Sequence, residues 1–185
     1  MESIGSVLQD AARKYGKKTF VFFKEEELSF REMNDLASRV ANAFLSEGIR
    51  KGDRVAIMLA NRPEYLSLWF GLNKIGASMV PINTAFTAYE TAYPIDHSES
   101  RMVVTSAEYC EIVEKAWATC PFLEKMILLD SDRKPERGEL FRDFVEHRPV
   151  DLPAIDVRVN DEAAILYTSG TCMSETIRYK QPIEF

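Results

Sequence analysis

The sequence predicts an α/β fold, a mostly parallel sheet with helices on both faces, and three features carry that expectation. Short β-branched runs alternate with amphipathic segments of roughly 10–15 residues, the pattern of repeated βαβ units. Several of the short runs are apolar at successive positions, as in strands buried on both sides. Pro63, Gly48 and Gly76 mark junctions between successive runs.

The elements follow in order. Ile4, Val7, Leu8, Ala11, Ala12 and Tyr15 recur at helical spacing, so a helix over residues 3–15 is expected. Thr19 to Phe23 and Glu27 to Ser29 flank a polar turn and read as a hairpin. Ser29-Phe30-Arg31-Glu32 fits a capping box, and the helix behind it buries Met33, Leu36, Ala37, Val40, Ala41, Phe44 and Leu45 before Gly48 ends it. Arg54 to Leu59 is a strand, Pro63 opens a helix carrying Trp69, Phe70 and Leu72 as core, and Ser78 to Pro81 is the next strand. Thr87-Ala88-Tyr89-Glu90 offers a second capping box for a helix reaching Ser98. Met102 to Thr105 is a strand, Ser106 caps a helix over 107–118, and Lys125 to Leu129 is a further strand. An amphipathic segment surrounds Leu140, Phe141, Phe144 and Val145, and Pro149 to Val159 is an extended connector. Ala163 to Thr168 is apolar enough for a central strand and ends in Ser169-Gly170-Thr171.

Composition narrows the function. The 185 residues allow one substantial domain, or one large domain with a small appendage, and 46% apolar with 28% charged residues is an ordinary globular balance. A net charge of -6 with scattered basic residues argues against a nucleic-acid partner. No apolar run approaches the length of a transmembrane segment and the start lacks a signal-peptide pattern, so the expected address is cytoplasmic. Cys110, Cys120 and Cys172 show no CxxC spacing, so neither a metal site nor a disulfide framework is expected. His97 and His147 sit among charged residues and read as solvated surface imidazoles without a chemical role.

The chemistry concentrates at Tyr167-Thr168-Ser169-Gly170-Thr171. Gly170 permits a tight turn, neighbouring amides can converge on an anion, and the hydroxyls of Thr168, Ser169 and Thr171 add donors for phosphate oxygens. A hydroxyl-rich corner after a strand's carboxyl end is where open α/β sheets bind ligands. Residue chemistry alone leaves an ordinary turn as the alternative, because Ser, Gly and Thr fill turns for unrelated reasons.

The stretch from Asp161 to Thr171, read together with what precedes it, resembles the adenylate-forming superfamily: acyl-CoA synthetases, 4-coumarate:CoA ligases, carnitine-type CoA ligases and luciferases. Leu28 to Asn34 resembles that family's early "lTYrEl" segment, Gly52 to Asn61 its "GDrVaimlpN" segment, and Trp69 to Asn83 its "gilkaGaivvPlN" segment. Glu90, His97, Ser98 and Glu99 fall where relatives read "eEl.yil.hSea". The resemblance implies an ATP-dependent acid:CoA ligase, which activates a carboxylic acid as its acyl-adenylate and passes the acyl group to CoA. It implies ATP, Mg and CoA as cofactors, a fatty or carnitine-like acid as substrate, and Thr168, Ser169, Gly170 and Thr171 as the residues facing the nucleotide's phosphates.

The match stops inside that loop. Relatives continue Tyr-Thr-Ser-Gly-Thr-Thr-Gly-x-Pro-Lys-Gly, whereas this chain has Cys172, Met173, Glu175, Thr176 and Ile177 at the second threonine, the glycine, the proline, the lysine and the last glycine. Losing the lysine removes a charge-assisted contact, and Glu175 adds a carboxylate beside a polyanion. Residues 1–171 are therefore expected to be the N-terminal portion of an AMP-binding ligase domain, with 172–185 a non-homologous tail and no catalytic residue. Turnover by this chain alone is not expected. The alternative from another class is a non-catalytic folded fragment, a scaffold or interaction module that self-associates through an exposed sheet edge.

Overall fold

The computed structural model describes residues 3–167 and, for residues 176–180, the course of the backbone. Helix α1 (Ile4–Tyr15) leads into a hairpin of β1 (Thr19–Phe23) and β2 (Glu26–Ser29), paired antiparallel. Then come α2 (Phe30–Ser46), β3 (Arg54–Met58), α3 (Pro63–Lys74), β4 (Ser78–Pro81), α4 (Ala88–His97) and β5 (Met102–Ser106). A 3-10 turn precedes α5 (Cys110–Trp117), followed by β6 (Lys125–Leu129), β7 (Gly138–Leu140), α6 (Phe141–Val145), β8 (Glu162–Tyr167) and β9 (Thr176–Lys180).

β3 to β9 form a seven-stranded sheet in the order β7-β6-β5-β3-β4-β8-β9. Every pairing in it is parallel except β8 with β9. Side chains on successive strand residues point to opposite faces, and here both faces are apolar. Val55, Ile57, Met102, Val104, Ile127 and Leu129 meet α2, α3 and α6 on one side. Ala56, Met58, Val103, Met126 and Leu128 meet α4 and α5 on the other. This double burial is the physical reason the strands read as continuous apolar runs.

A smaller outer layer lies against α2 and α3. There Leu8, Met33 and Ala37 pack with Phe20, Val21 and Leu28 of the hairpin and with Leu66 and Phe70. Phe70 thus belongs to this layer, while Leu72 is buried against the sheet and Trp69 packs partly against the same core.

Both expected capping boxes form. Ser29 Oγ accepts from the Glu32 amide at 3.2 Å while Glu32 Oε2 accepts from the Ser29 amide at 2.8 Å. Thr87 and Glu90 repeat the arrangement at 3.4 and 2.8 Å. The backbone amide and hydroxyl bonds hold both glutamates below the ordinary carboxyl value of 4.5. A lowered carboxyl pKa stabilises the fold above the unfolded value and loses that contribution as pH falls through the folded one. Ser29→Ala should therefore lower Tm by about 3 °C at pH 7, with a smaller difference below pH 4, in parallel melts of the two proteins.

Two expectations need correction. Ser106 does not cap through its side chain, because it is the last, buried residue of β5 and a 3-10 turn intervenes before α5. The segment after Arg137 contains β7 as well as α6.

The connector carries the chain from the β7 side to β8, five strand positions or about 24 Å at roughly 4.8 Å each. The eleven residues from Pro149 to Val159, fully extended, reach about 36 Å, so no helix is needed to make the crossing. Asn42 Nδ2 donates to the Pro149 and Asp151 carbonyls at 2.7 and 3.0 Å, and Leu152 and Ile155 pack against the core. Lys51 donates to the Asp156 carbonyl at 2.7 Å and pairs with Asp161, which pins the entry to β8.

Candidate functional site

Parallel pairing brings the carboxyl ends of β3, β4, β5, β6 and β8 to one rim of the sheet. Leaving aside β8 and β9, the order reverses at β3, whose chain successor β4 lies on one side and β5 on the other. Such a switch point is the usual ligand crevice of an open α/β sheet. Here the protein's own groups bond to one another along it. Thr105 Oγ1 donates to the Met58 carbonyl at 3.0 Å. Arg62, just past β3, binds Glu64 through Nε at 2.8 Å and Asp130, just past β6, through Nη1 and Nη2. Bonds to Glu64 and then to Asp130 raise the Arg62 pKa further, so the guanidinium is committed to two carboxylates.

The rim beyond β4 belongs to β8. The last apolar run of the sequence is a strand, as expected, and it is flanked on both sides by β4 and β9. Met79 of β4 stands opposite Ala164, and Ser78 Oγ donates to the Glu162 carbonyl at 3.0 Å, which sets the register. Tyr167 is therefore delivered to the carboxyl rim. The expected phosphate-facing residues Thr168, Ser169, Gly170 and Thr171 come directly after it and lie outside the described residues, as do Cys172, Met173 and Glu175.

Tyr167 is anchored by a residue that the sequence reading set aside. His97 Nδ1 is 2.9 Å from the Tyr167 hydroxyl. Tyr93 stacks on His97 with centroids 5.3 Å apart, and both rings meet Tyr167 edge-on, at 5.8 and 5.7 Å. His97 is exposed but not merely solvated, since it fastens the end of α4 to the end of β8. The available signal was the spacing of Tyr89, Tyr93 and His97, four residues apart, which lines one face of a helix. His147 is exposed beside Glu146 at 3.3 Å and takes no part.

Replacing His97 by alanine is expected to speed amide exchange at Leu166 and Tyr167 by about fivefold to tenfold, with β3 and β5 unaffected. His97→Gln, which keeps a polar partner for the hydroxyl, should recover part of that protection in the same hydrogen-exchange measurement.

Cys110 and Cys120 are free thiols. Burial and the Glu114 carboxylate push Cys110 up to about 11, which makes it a poor nucleophile. Among the described residues no group of three or more His, Cys, Asp or Glu is arranged to hold a metal. No helix among them is long and apolar enough to cross a membrane.

A mostly parallel sheet covered on both faces, with β8 ending at its carboxyl rim, is the open α/β architecture whose ligands bind beyond the carboxyl ends of the strands. The family model described as "AMP-binding enzyme" matches residues 8–172, and the chain belongs to that family. It is 35% identical over 178 residues to a crotonobetaine/carnitine--CoA ligase from Citrobacter koseri, a match covering 92% of this chain and 34% of the relative. It is 38% identical over 173 residues to the corresponding ligase of Proteus mirabilis, covering 88% of this chain and 33% of the relative. The crystal structure of the anthranilate CoA ligase AuaEII in complex with anthranoyl-AMP superposes with a TM-score of 0.91 at 25% identity, over 97% of this chain and 35% of that one. The inhibitor-bound N-terminal domain of FACL13 from Mycobacterium tuberculosis gives 0.87 at 27% identity, over 97% of this chain and 44% of that one. The chain spans about a third of the length of the curated relatives it matches.

Proposed function

We propose that residues 1–171 form the phosphate-facing wall of an ATP-dependent acid:CoA ligase, which activates a carboxylate as its acyl-adenylate and transfers the acyl group to CoA. In this reading Thr168, Ser169, Gly170 and Thr171 address the nucleotide's phosphates, with Mg as counter-ion and a fatty or carnitine-like acid as the substrate class. The observation that carries it is the parallel register of β8 on β4, which ends Tyr167 at the carboxyl rim immediately before those four residues. A cytoplasmic address and a non-homologous segment from 172 onward are part of the same reading.

The donor set fits a polyphosphate incompletely. Arg62 is committed to Glu64 and Asp130, the ammonium of the family lysine is replaced by Thr176, and Glu175 adds negative charge. Adenylation by this chain alone is therefore not expected, since transition-state charge is stabilised by preplaced donors. The test is thermal unfolding with and without millimolar Mg-ATP. A ligand present at about 100 times its Kd adds about 2.7 kcal/mol of stability, a rise in Tm of several degrees. A change below about 1 °C is expected here, and a rise of several degrees would contradict the loss of grip.

A second reading, an interaction module, is favoured by the exposed face of α4. Tyr89 is 89% and Tyr93 52% exposed, an aromatic surface beside the end of β8. Concentration-dependent sedimentation that Tyr89→Ser abolishes would support self-association through this side of the sheet; a monomer at all concentrations would dismiss it.

A further inference from the structure

Lys74, the last residue of α3, lines an open groove of about 660 Å3 bordered by the start of α1, by α2 and by the connector. Gly5 lets α1 lie directly on this helix end: a Cβ there would stand 2.8 Å from Lys74 Cα. The lysine stem is thereby covered, and its Nζ donates to Asn34 Oδ1 at 2.8 Å. That acceptor is a neutral amide, which stabilises an ammonium less than a carboxylate does.

Charged groups face the amine from each packed element. Asp35 of α2 favours the ammonium and Arg13 of α1 opposes it, while Asp151 lines the groove from the connector. Burial outweighs the carboxylate, and the amine is pushed down to about 8. An ordinary lysine, near 10.4, is under about 1% neutral at pH 8, whereas this one is about half neutral. A neutral amine is a nucleophile, and an ammonium is not. The groove lies within the range of about 300–1,000 Å3 typical of small-molecule sites.

We propose that Lys74 is an acylation site, taking a short acyl group from an activated acyl donor, either an acyl thioester or an acyl-adenylate. The Nζ lone pair attacks the donor's carbonyl carbon, the N–C bond forms, and the C–S bond to CoA or the C–O bond to AMP breaks. The leaving thiolate or phosphate departs with the bonding pair, and the proton lost by nitrogen passes to it or to water. The product is a neutral amide, which relieves the cost of a partly buried ammonium. The inference rests on the proposed ligase reading only for the source of the donor in the cell.

Incubation of the native chain with acetyl-CoA, and separately with acetyl-adenylate, tests it, with site occupancy read by peptide mass spectrometry. Lys74 is expected to acetylate at least about tenfold faster than the exposed Lys17 and Lys134 of the same molecules, and the rate should level off above about pH 8. In urea-unfolded chain the preference should vanish. Selectivity with one donor alone identifies that donor as the source. Modification of Lys74 no faster than Lys17 with either donor, or a Lys74 rate still climbing through pH 10, would overturn the proposal. Because the donors are supplied ready-made, that failure is distinguishable from failure to bind Mg-ATP.

Discussion

Truncating Phe44 to alanine is expected to cost about 3–5 kcal/mol of folding stability, enough to unfold much of the population at 37 °C. Phe44 is fully buried and meets Phe144 edge-on, with centroids 5.1 Å apart. It joins α2 to α6 across the face lined by Val55, Ile57, Met102 and Val104, so its removal leaves a cavity bounded by strands that cannot close in. Urea titration of wild type and variant reads the loss as a lower midpoint at similar slope. A loss under about 1 kcal/mol would mean that α6 does not pack where described.

The second large effect is expected from adding a single carbon. Gly71 sits where α3 crosses α2, and a Cβ there would lie 2.7 Å from Val40 Cγ1 and 2.9 Å from the Ala37 carbonyl. The valine can yield but the helix backbone cannot, so Gly71→Ala must push the two helices apart. Overpacking of this kind costs about 1–3 kcal/mol, opposite in sign to the gain usually expected of alanine over glycine within a helix. Combining Gly71→Ala with Val40→Ala removes the nearer clash and should recover part of the loss in the same titration. A neutral or stabilising Gly71→Ala would contradict the close crossing.

What could be read from the sequence was what local chemistry fixes. The capping boxes at Ser29 and Thr87 depend on four successive residues, and both form. Gly48 and Gly76 take positive φ of 81° and 71° at the helix ends where glycine marked them. The family too was legible, because its segments recur in order along the chain, and the match over residues 8–172 bears that out.

Pairing partners were less visible. β7 is three residues long and exists because Gly138 can lie flat against β6, where a Cβ would come 2.0 Å from the Met126 carbonyl. β9 is specified by its register on β8, which no local pattern announces. His97 read as surface because its partner, Tyr167, is 70 residues away in sequence and acts through one hydrogen bond rather than through burial. Of the candidate site itself, the strand that leads to it is confirmed in type and position, while Thr168, Ser169, Gly170 and Thr171 lie outside the described residues.

The most direct measurement restores what the loop lacks. In a Met173→Gly, Glu175→Pro, Thr176→Lys variant, hydrogen exchange with and without Mg-ATP should show new protection confined to the peptide holding Thr168 to Thr171, with little change in the unaltered chain. Protection elsewhere on the sheet, or none at nucleotide concentrations that protect a full-length relative, would contradict the assignment of the β8 rim as the phosphate-facing wall.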